Sequence, residues 1–128
     1  MLKLLLVDDS ETARMIMQRC VEILHPDECS FLHAANGKEA LELLKNQEID
    51  LVLTDMIMPL MDGKQLLLRV KASPKLNSTP IFIVTSLGNP AFEEELKKIG
   101  ADQVIYKPIS PEKFRSAFEI FFKKDHVQ

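Results

Sequence analysis

The chain has 128 residues, 46% hydrophobic and 27% charged, with 16 basic side chains against 19 acidic ones and a formal net charge of -3. That length fits one domain around a single core, and the apolar fraction excludes intrinsic disorder. The slightly acidic balance argues against direct nucleic-acid binding, and no stretch reaches the ~20 apolar residues needed to span a bilayer.

Leu2–Val7 is a short apolar run that reads as a first strand. It meets Asp8-Asp9 where a signal peptide would carry small residues, so a cytoplasmic location without membrane insertion is expected. Ala13, Ile16, Met17, Cys20 and Leu24 follow i, i+3, i+4 spacing and predict a helix. Cys29–Ala35 is weaker and more polar, which suits a strand at a sheet edge. With Cys20 and Cys29 as the two cysteines and no C-x-x-C spacing, neither a disulfide framework nor a zinc site is indicated. Asn36-Gly37 then marks a turn before a helix carrying Ala40, Leu41 and Leu44.

Leu51–Leu53 predicts a third strand, Leu66, Leu67 and Val70 a third helix, and Ile81–Val84 a fourth strand. Asn89 supplies an N-cap and Pro90 the first helical position of a segment bearing Phe92, Leu96 and Ile99, closed by Gly100. Glu93–Lys97 and Glu94–Lys98 pair on its solvent side. Val104–Tyr106 is the last strand, and Phe114, Ala117, Phe118 and Phe121 stripe the last helix. Short branched runs without alternation are parallel strands buried on both faces. The alternation therefore predicts a (βα)5 three-layer α/β domain with a parallel sheet.

Open parallel sheets bind ligands beyond the carboxyl ends of their strands. Reading those ends gives Asp8-Asp9 after the first strand, Asp55 after the third, Thr85-Ser86 after the fourth and Lys107-Pro108 after the fifth. Three carboxylates crowded together call for a cation, and all-oxygen ligands with an incomplete shell favour Mg²⁺. Asp55 can then act as a carboxylate nucleophile towards phosphorus. Lys107 and the Thr85 hydroxyl would offset charge on the phosphoryl oxygens. Plainer readings exist for each residue taken alone. Asp8 with Glu11 is a capping pattern, Asp55 with Pro59 and Asp62-Gly63 an ordinary turn, and Thr85 a branched strand residue. Their convergence from four strands favours the chemical reading.

With those residues in place, the chain resembles the receiver domain of two-component response regulators. The matching segments are Leu5-Leu6-Val7-Asp8-Asp9-Ser10, Asp55-Met56-Ile57-Met58-Pro59-Leu60-Met61-Asp62-Gly63, Val84-Thr85-Ser86 and Lys107-Pro108. The resemblance covers about residues 2–123 and implies a single receiver over 1–128 with a flavodoxin-like, doubly wound sheet of order 2-1-3-4-5. It implies Asp55 as phospho-acceptor, and Mg²⁺ held by Asp8, Asp9, Asp55 and the Ile57 carbonyl. Thr85 becomes a switch hydroxyl, Lys107 the phosphoryl-binding lysine, and the Lys107–Pro108 bond cis. A sensor histidine kinase or histidine phosphotransfer protein is the implied donor, and a downstream protein or domain the reader. Such a domain is a switch that promotes its own phosphorylation and dephosphorylation, not an enzyme with an external substrate.

Two departures from the family pattern stand out. Many receivers carry an aromatic three positions before the lysine, where this chain has Val104; its aromatic is Tyr106, on the same strand face. Ile57 and Leu87 fill positions that tune phosphoryl lifetime, and neither can position an attacking water, so slow self-dephosphorylation is expected. Two other classes compete with the receiver reading. A haloacid-dehalogenase-like hydrolase would need an Asp-x-Asp motif, and Ile57 stands at its second acidic position. A pseudo-receiver acting only in interaction or dimerisation would not need the full acidic set, Thr85 and Lys107. Cys20 reads as core, Glu93-Glu94-Glu95 as a solvated face, Met56, Met58 and Met61 as part of the loop motif, and Phe122 and Ile120 as ordinary apolar positions of the last helix.

Overall fold

A computed structural model describes the chain except residues 26, 28, 87, 127 and 128, with side chains described up to Phe121. Five strands alternate with five helices: β1 (Leu2–Val7), α1 (Glu11–Leu24), β2 (Cys29–Ala34), α2 (Gly37–Asn46), β3 (Leu51–Asp55), α3 (Gly63–Lys71), β4 (Ile81–Thr85), α4 (Pro90–Ile99), β5 (Gln103–Tyr106) and α5 (Pro111–His126). All ladders are parallel and the strand order is β2-β1-β3-β4-β5. The flavodoxin-like architecture and the edge position of β2 are as the sequence predicts. β3 and β4 run on to include Asp55 and Thr85, and β2 stops at Ala34. Expectations concerning Leu87 and the Phe122 side chain lie outside the described residues.

Strand parity divides the core into two layers. Leu5, Val7, Val52, Ile81 and Ile83 pack with α2, α3 and α4, while Leu4, Leu6, Leu51, Leu53, Phe82 and Val84 pack with α1 and α5. Each fully buried aliphatic side chain contributes about 1.5–3 kcal/mol, so doubly buried β1, β3 and β4 anchor the sheet. α1 departs from its predicted stripe. Ile16 is 47% exposed, and Val21, which the spacing passed over, is buried beside Met17 and Cys20. Cys20 is core as expected, and burial raises its thiol pKa.

Polar caps set the helix starts. Ser10, Asn36, Asp62 and Asn89 are N-caps whose side chains accept from the amides of Ala13, Glu39, Gln65 and Phe92. The cap of α1 is thus Ser10, not Asp8, which frees the Asp8 carboxylate for other contacts. Gly100 ends α4 at φ 131°, a conformation that needs glycine. On α4, Glu94 and Glu95 are exposed as expected, and Glu93 is half-buried. Glu95 meets Lys64 of α3 at 2.7 Å, and Glu93 is engaged by Tyr106.

Candidate functional site

The ends of β1, β3, β4 and β5 meet on one edge of the sheet. Val7 pairs with Thr54, and Asp55 with Val84, so Asp8 and Asp55 follow side by side and Thr85 comes one residue later on β4. Asp8 is 2% exposed and Asp55 9%, while Asp9 faces solvent. One carboxylate oxygen from each of the three lies within 4.8 Å of the others.

Lys107 follows β5 and reaches across the sheet end. Its Nζ stands 3.2 Å from Asp55 Oδ1 and 3.3 Å from Asp8 Oδ2. The backbone aims it: the Lys107 amide donates to the Thr85 carbonyl at 2.8 Å, and the Lys107–Pro108 bond is cis, as expected. Burial raises the Asp55 carboxyl pKa, and repulsion from Asp8 raises it further; Lys107 and the Met56 amide pull it back. Lys107 shows the complementary balance. Burial acts against its ammonium, but attraction to Asp55 and Asp8 outweighs that and lifts its pKa above the ordinary value.

The β3–α3 loop is tightly folded beneath Asp55. The Gly63 amide donates to the Met56 carbonyl at 2.9 Å, and a Cβ on Gly63 would stand 2.2 Å from the Asp55 carbonyl oxygen. Only glycine permits that approach. Leu60 adopts φ 67°, strained for a branched side chain, and the Gly37 amide donates to the Met61 carbonyl at 2.9 Å. Ile57 is 63% exposed beside the acids, whereas Met56 and Met58 are buried.

The structure thus brings Asp8, Asp9, Asp55 and Lys107 together. Thr85 is 1% exposed at the adjoining strand end, and Ser86 follows it as an exposed residue. Val104 packs against the core on the α2–α4 side. Tyr106 turns from the acids towards α4, its hydroxyl donating to Glu93 Oε1 at 2.5 Å. Sequence reasoning missed Ser10, whose amide donates to Asp8 Oδ1 at 2.9 Å, and Arg14, whose Nη1 donates to the Asp8 carbonyl at 2.6 Å. A capping pattern could have revealed Ser10; nothing in the spacing marks Arg14.

The donor set suits Mg²⁺. Asp8, Asp9 and Asp55 each offer a carboxylate oxygen within 4.8 Å of the other two, an all-oxygen set of the kind that ion takes. Mutually repelling carboxylates, of which Asp55 is already raised in pKa, would gain from a dication.

A five-stranded flavodoxin-like sheet with an acidic triad and a lysine at its carboxyl edge is consistent with a phospho-acceptor domain. The sequence matches the response regulator receiver domain over residues 4–119, and the chain belongs to that family. It is similar to a chemotaxis protein CheY homolog of Campylobacter jejuni, 37% identical over 119 residues that cover 92% of this chain and 90% of the relative. Chemotaxis protein CheY1 of Helicobacter pylori is 33% identical over 120 residues, covering 93% and 95%. Among solved structures, the chemotaxis response regulator CheY4 of Vibrio cholerae superimposes with a TM-score of 0.83 at 28% identity, over 94% of this chain and 98% of that one. The chain is a CheY-like receiver of two-component signalling, a phospho-acceptor by family, and its acidic triad is typical of the receiver Mg²⁺ site.

Proposed function

We propose that residues 1–128 form one cytoplasmic receiver that takes a phosphoryl group on Asp55 from a phosphohistidine of a sensor kinase or phosphotransfer protein. A carboxylate oxygen of Asp55 forms the new P–O bond while the P–N bond to the donor imidazole breaks. The bonding pair leaves with the imidazole nitrogen. Attack by the ionised carboxylate leaves no proton to be removed from Asp55, and the Lys107 ammonium 3.2 Å away favours that form. Lys107 offsets charge on the transferring oxygens, and the Thr85 hydroxyl donates to one of them. Asp8, Asp9, Asp55 and the Ile57 carbonyl would hold Mg²⁺, which supplies charge neutralisation when bound. Ser86 and Pro108 shape the loops that carry Thr85 and Lys107. The product biases a surface around α4, β5 and α5 that a downstream partner reads.

The observation that carries this reading is the Lys107 ammonium within 3.3 Å of both Asp55 and Asp8. Intact-mass measurement after incubation with acetyl phosphate and Mg²⁺ tests it. One phosphoryl adduct is expected, absent from Asp55→Asn and from a chelated control. No adduct, together with no binding of beryllofluoride, would overturn the proposal and leave a pseudo-receiver whose surface does the work.

A further inference from the structure

The acids of the site are held from a direction that the proposed chemistry does not use. Asp8 has each of its polar groups engaged. Its amide donates to the Ala34 carbonyl at 3.2 Å, Oδ1 accepts from the Ser10 amide, Oδ2 from Lys107, and its carbonyl from Arg14 Nη1 at 2.6 Å. That carbonyl belongs to the peptide joining Asp8 to Asp9. Fixing its direction fixes the plane from which the exposed Asp9 carboxylate projects.

Arg14 is itself clamped. Its Nε donates to His33 Nδ1 on β2 at 3.1 Å, and His33 Nε2 lies 2.7 Å from Gln18 Oε1, one helical turn beyond Arg14. Arginine offers only donors, so His33 Nδ1 must present its lone pair and Nε2 must carry the proton given to Gln18. The ring is therefore neutral, in keeping with a pKa lowered by burial and by Arg14 against the opposing pull of Glu11. The half-buried guanidinium spends one arm on the edge strand and the other on the Asp8–Asp9 peptide.

We infer that Arg14 is a positioning residue of the acidic site, acting from α1 through the Asp8 carbonyl to aim Asp9 at the cation, with His33 holding its guanidinium in register. The role rests on the reading of Asp8, Asp9 and Asp55 as ligands of Mg²⁺. Its direction separates it from a simple charge effect. Removing a cation near three carboxylates would strengthen binding of a dication, whereas loss of positioning weakens it.

Calorimetric titration with Mg²⁺ of wild type, Arg14→Ala, Arg14→Lys and His33→Leu tests this, each protein first checked for a cooperative thermal transition. Arg14→Ala is expected to weaken Mg²⁺ binding about tenfold, in the range found when groups that orient metal ligands are lost. His33→Leu, which leaves Arg14 in place but unclamped, is expected to give a smaller loss. Arg14→Lys should recover only part, because an ammonium cannot serve both acceptors in the geometry of the fork. Amide exchange in the metal-free protein should quicken at Asp9 and Ser10 in Arg14→Ala. Unchanged or tighter Mg²⁺ binding in Arg14→Ala would overturn the inference, and should that variant not fold, unchanged binding in His33→Leu would do so. Acetyl phosphate labelling of the wild type reports separately on the phospho-acceptor reading. That reading can fail while Arg14 still governs Mg²⁺ affinity, and the converse is equally visible.

Discussion

Replacing Lys107 with methionine removes the cation from between two poorly solvated carboxylates and keeps most of the side-chain volume. At contacts of 3.2 and 3.3 Å, each attraction is about 5 kcal/mol in gross terms at an effective dielectric constant of roughly 20. Desolvation offsets much of that, and removing one partner of a buried pair costs about 3–5 kcal/mol net. The lysine side chain is 29% exposed, which screens the effect, so a loss of about 2 kcal/mol is expected. For 128 residues the unfolding entropy is roughly 0.27 kcal/mol/K, and the melting temperature should fall by ~7 °C. The loss should depend on pH. Without Lys107 the Asp55 carboxyl, already raised by burial and by Asp8, rises further in the native state. A raised acid stabilises the fold below its unfolded pKa, and that contribution disappears as pH climbs through the folded value. In the wild type, the raised Lys107 contributes fully below the ordinary lysine range and is lost only above it, so it is constant from weakly acid to neutral pH. The deficit of Lys107→Met should therefore be large at about pH 8 and shrink towards about pH 5. Scanning calorimetry in a chelator measures both conditions, and added Mg²⁺ should raise the variant's melting temperature more than the wild type's. An equal deficit at both pH values, or none, would refute the account of Lys107 as the counter-charge of this pocket.

Gly63→Ala would drive a Cβ to 2.2 Å from the Asp55 carbonyl oxygen, backbone against backbone, and should cost about 3 kcal/mol or more by chemical denaturation. A near-normal midpoint would show that the β3–α3 loop yields freely. Tyr106→Phe should cost under about 1 kcal/mol but let the Glu93 carboxyl pKa rise, since the Tyr106 hydrogen bond is the first cause of its depression and Lys97 the second. A carbonyl-detected NMR titration of Glu93 that does not move would remove Tyr106 as its partner. Ile57→Asn places a side chain able to orient water beside the phosphoryl group and should speed its loss, followed as decay of the phosphorylated mass. Equal decay in the two proteins, or a wild-type lifetime of only seconds, would contradict the role assigned to the apolar residue at this position.

Element sequence and the convergence of Asp8, Asp9, Asp55 and Lys107 were legible because each rests on local chemistry, while the sheet order came only with the family resemblance. Branched runs make buried strands, helical stripes lie between them, and a parallel sheet puts every strand's carboxyl end on one edge. What sequence could not carry was the reach of long side chains. Arg14 and Asp8 meet across a strand–helix junction, and Tyr106 finds Glu93 across a loop, with no periodicity linking either pair. The cap of α1 shows the same limit. Asp8 and Ser10 both suit the role, and the choice depends on Lys107, 99 residues away, drawing the Asp8 carboxylate to itself. The left-handed Leu60 carried no signal either, because glycine or asparagine is the usual residue there and this loop imposes the conformation on a leucine.

The charges in the pocket show why the site is built around shortage of one cation. Three carboxylates set against the Lys107 ammonium leave two negative charges where the proposed anionic phosphodonor would arrive. Lys107 already lies within 3.3 Å of two of the acids, and Arg14 donates to a carbonyl and an imidazole rather than to a carboxylate. A divalent ion bound by oxygens cancels the excess while occupying little volume. The raised Asp55 carboxyl reflects burial first and, after it, the repulsion from Asp8 that a dication would relieve. The same imbalance would recruit the ion and leave the acceptor oxygen accessible. When a phosphoryl group replaces one carboxylate charge with nearly two, neutrality is lost again. On the proposed chemistry, Thr85, buried at the neighbouring strand end, would supply a hydroxyl to that group, and its movement would carry the change into β4 and α4.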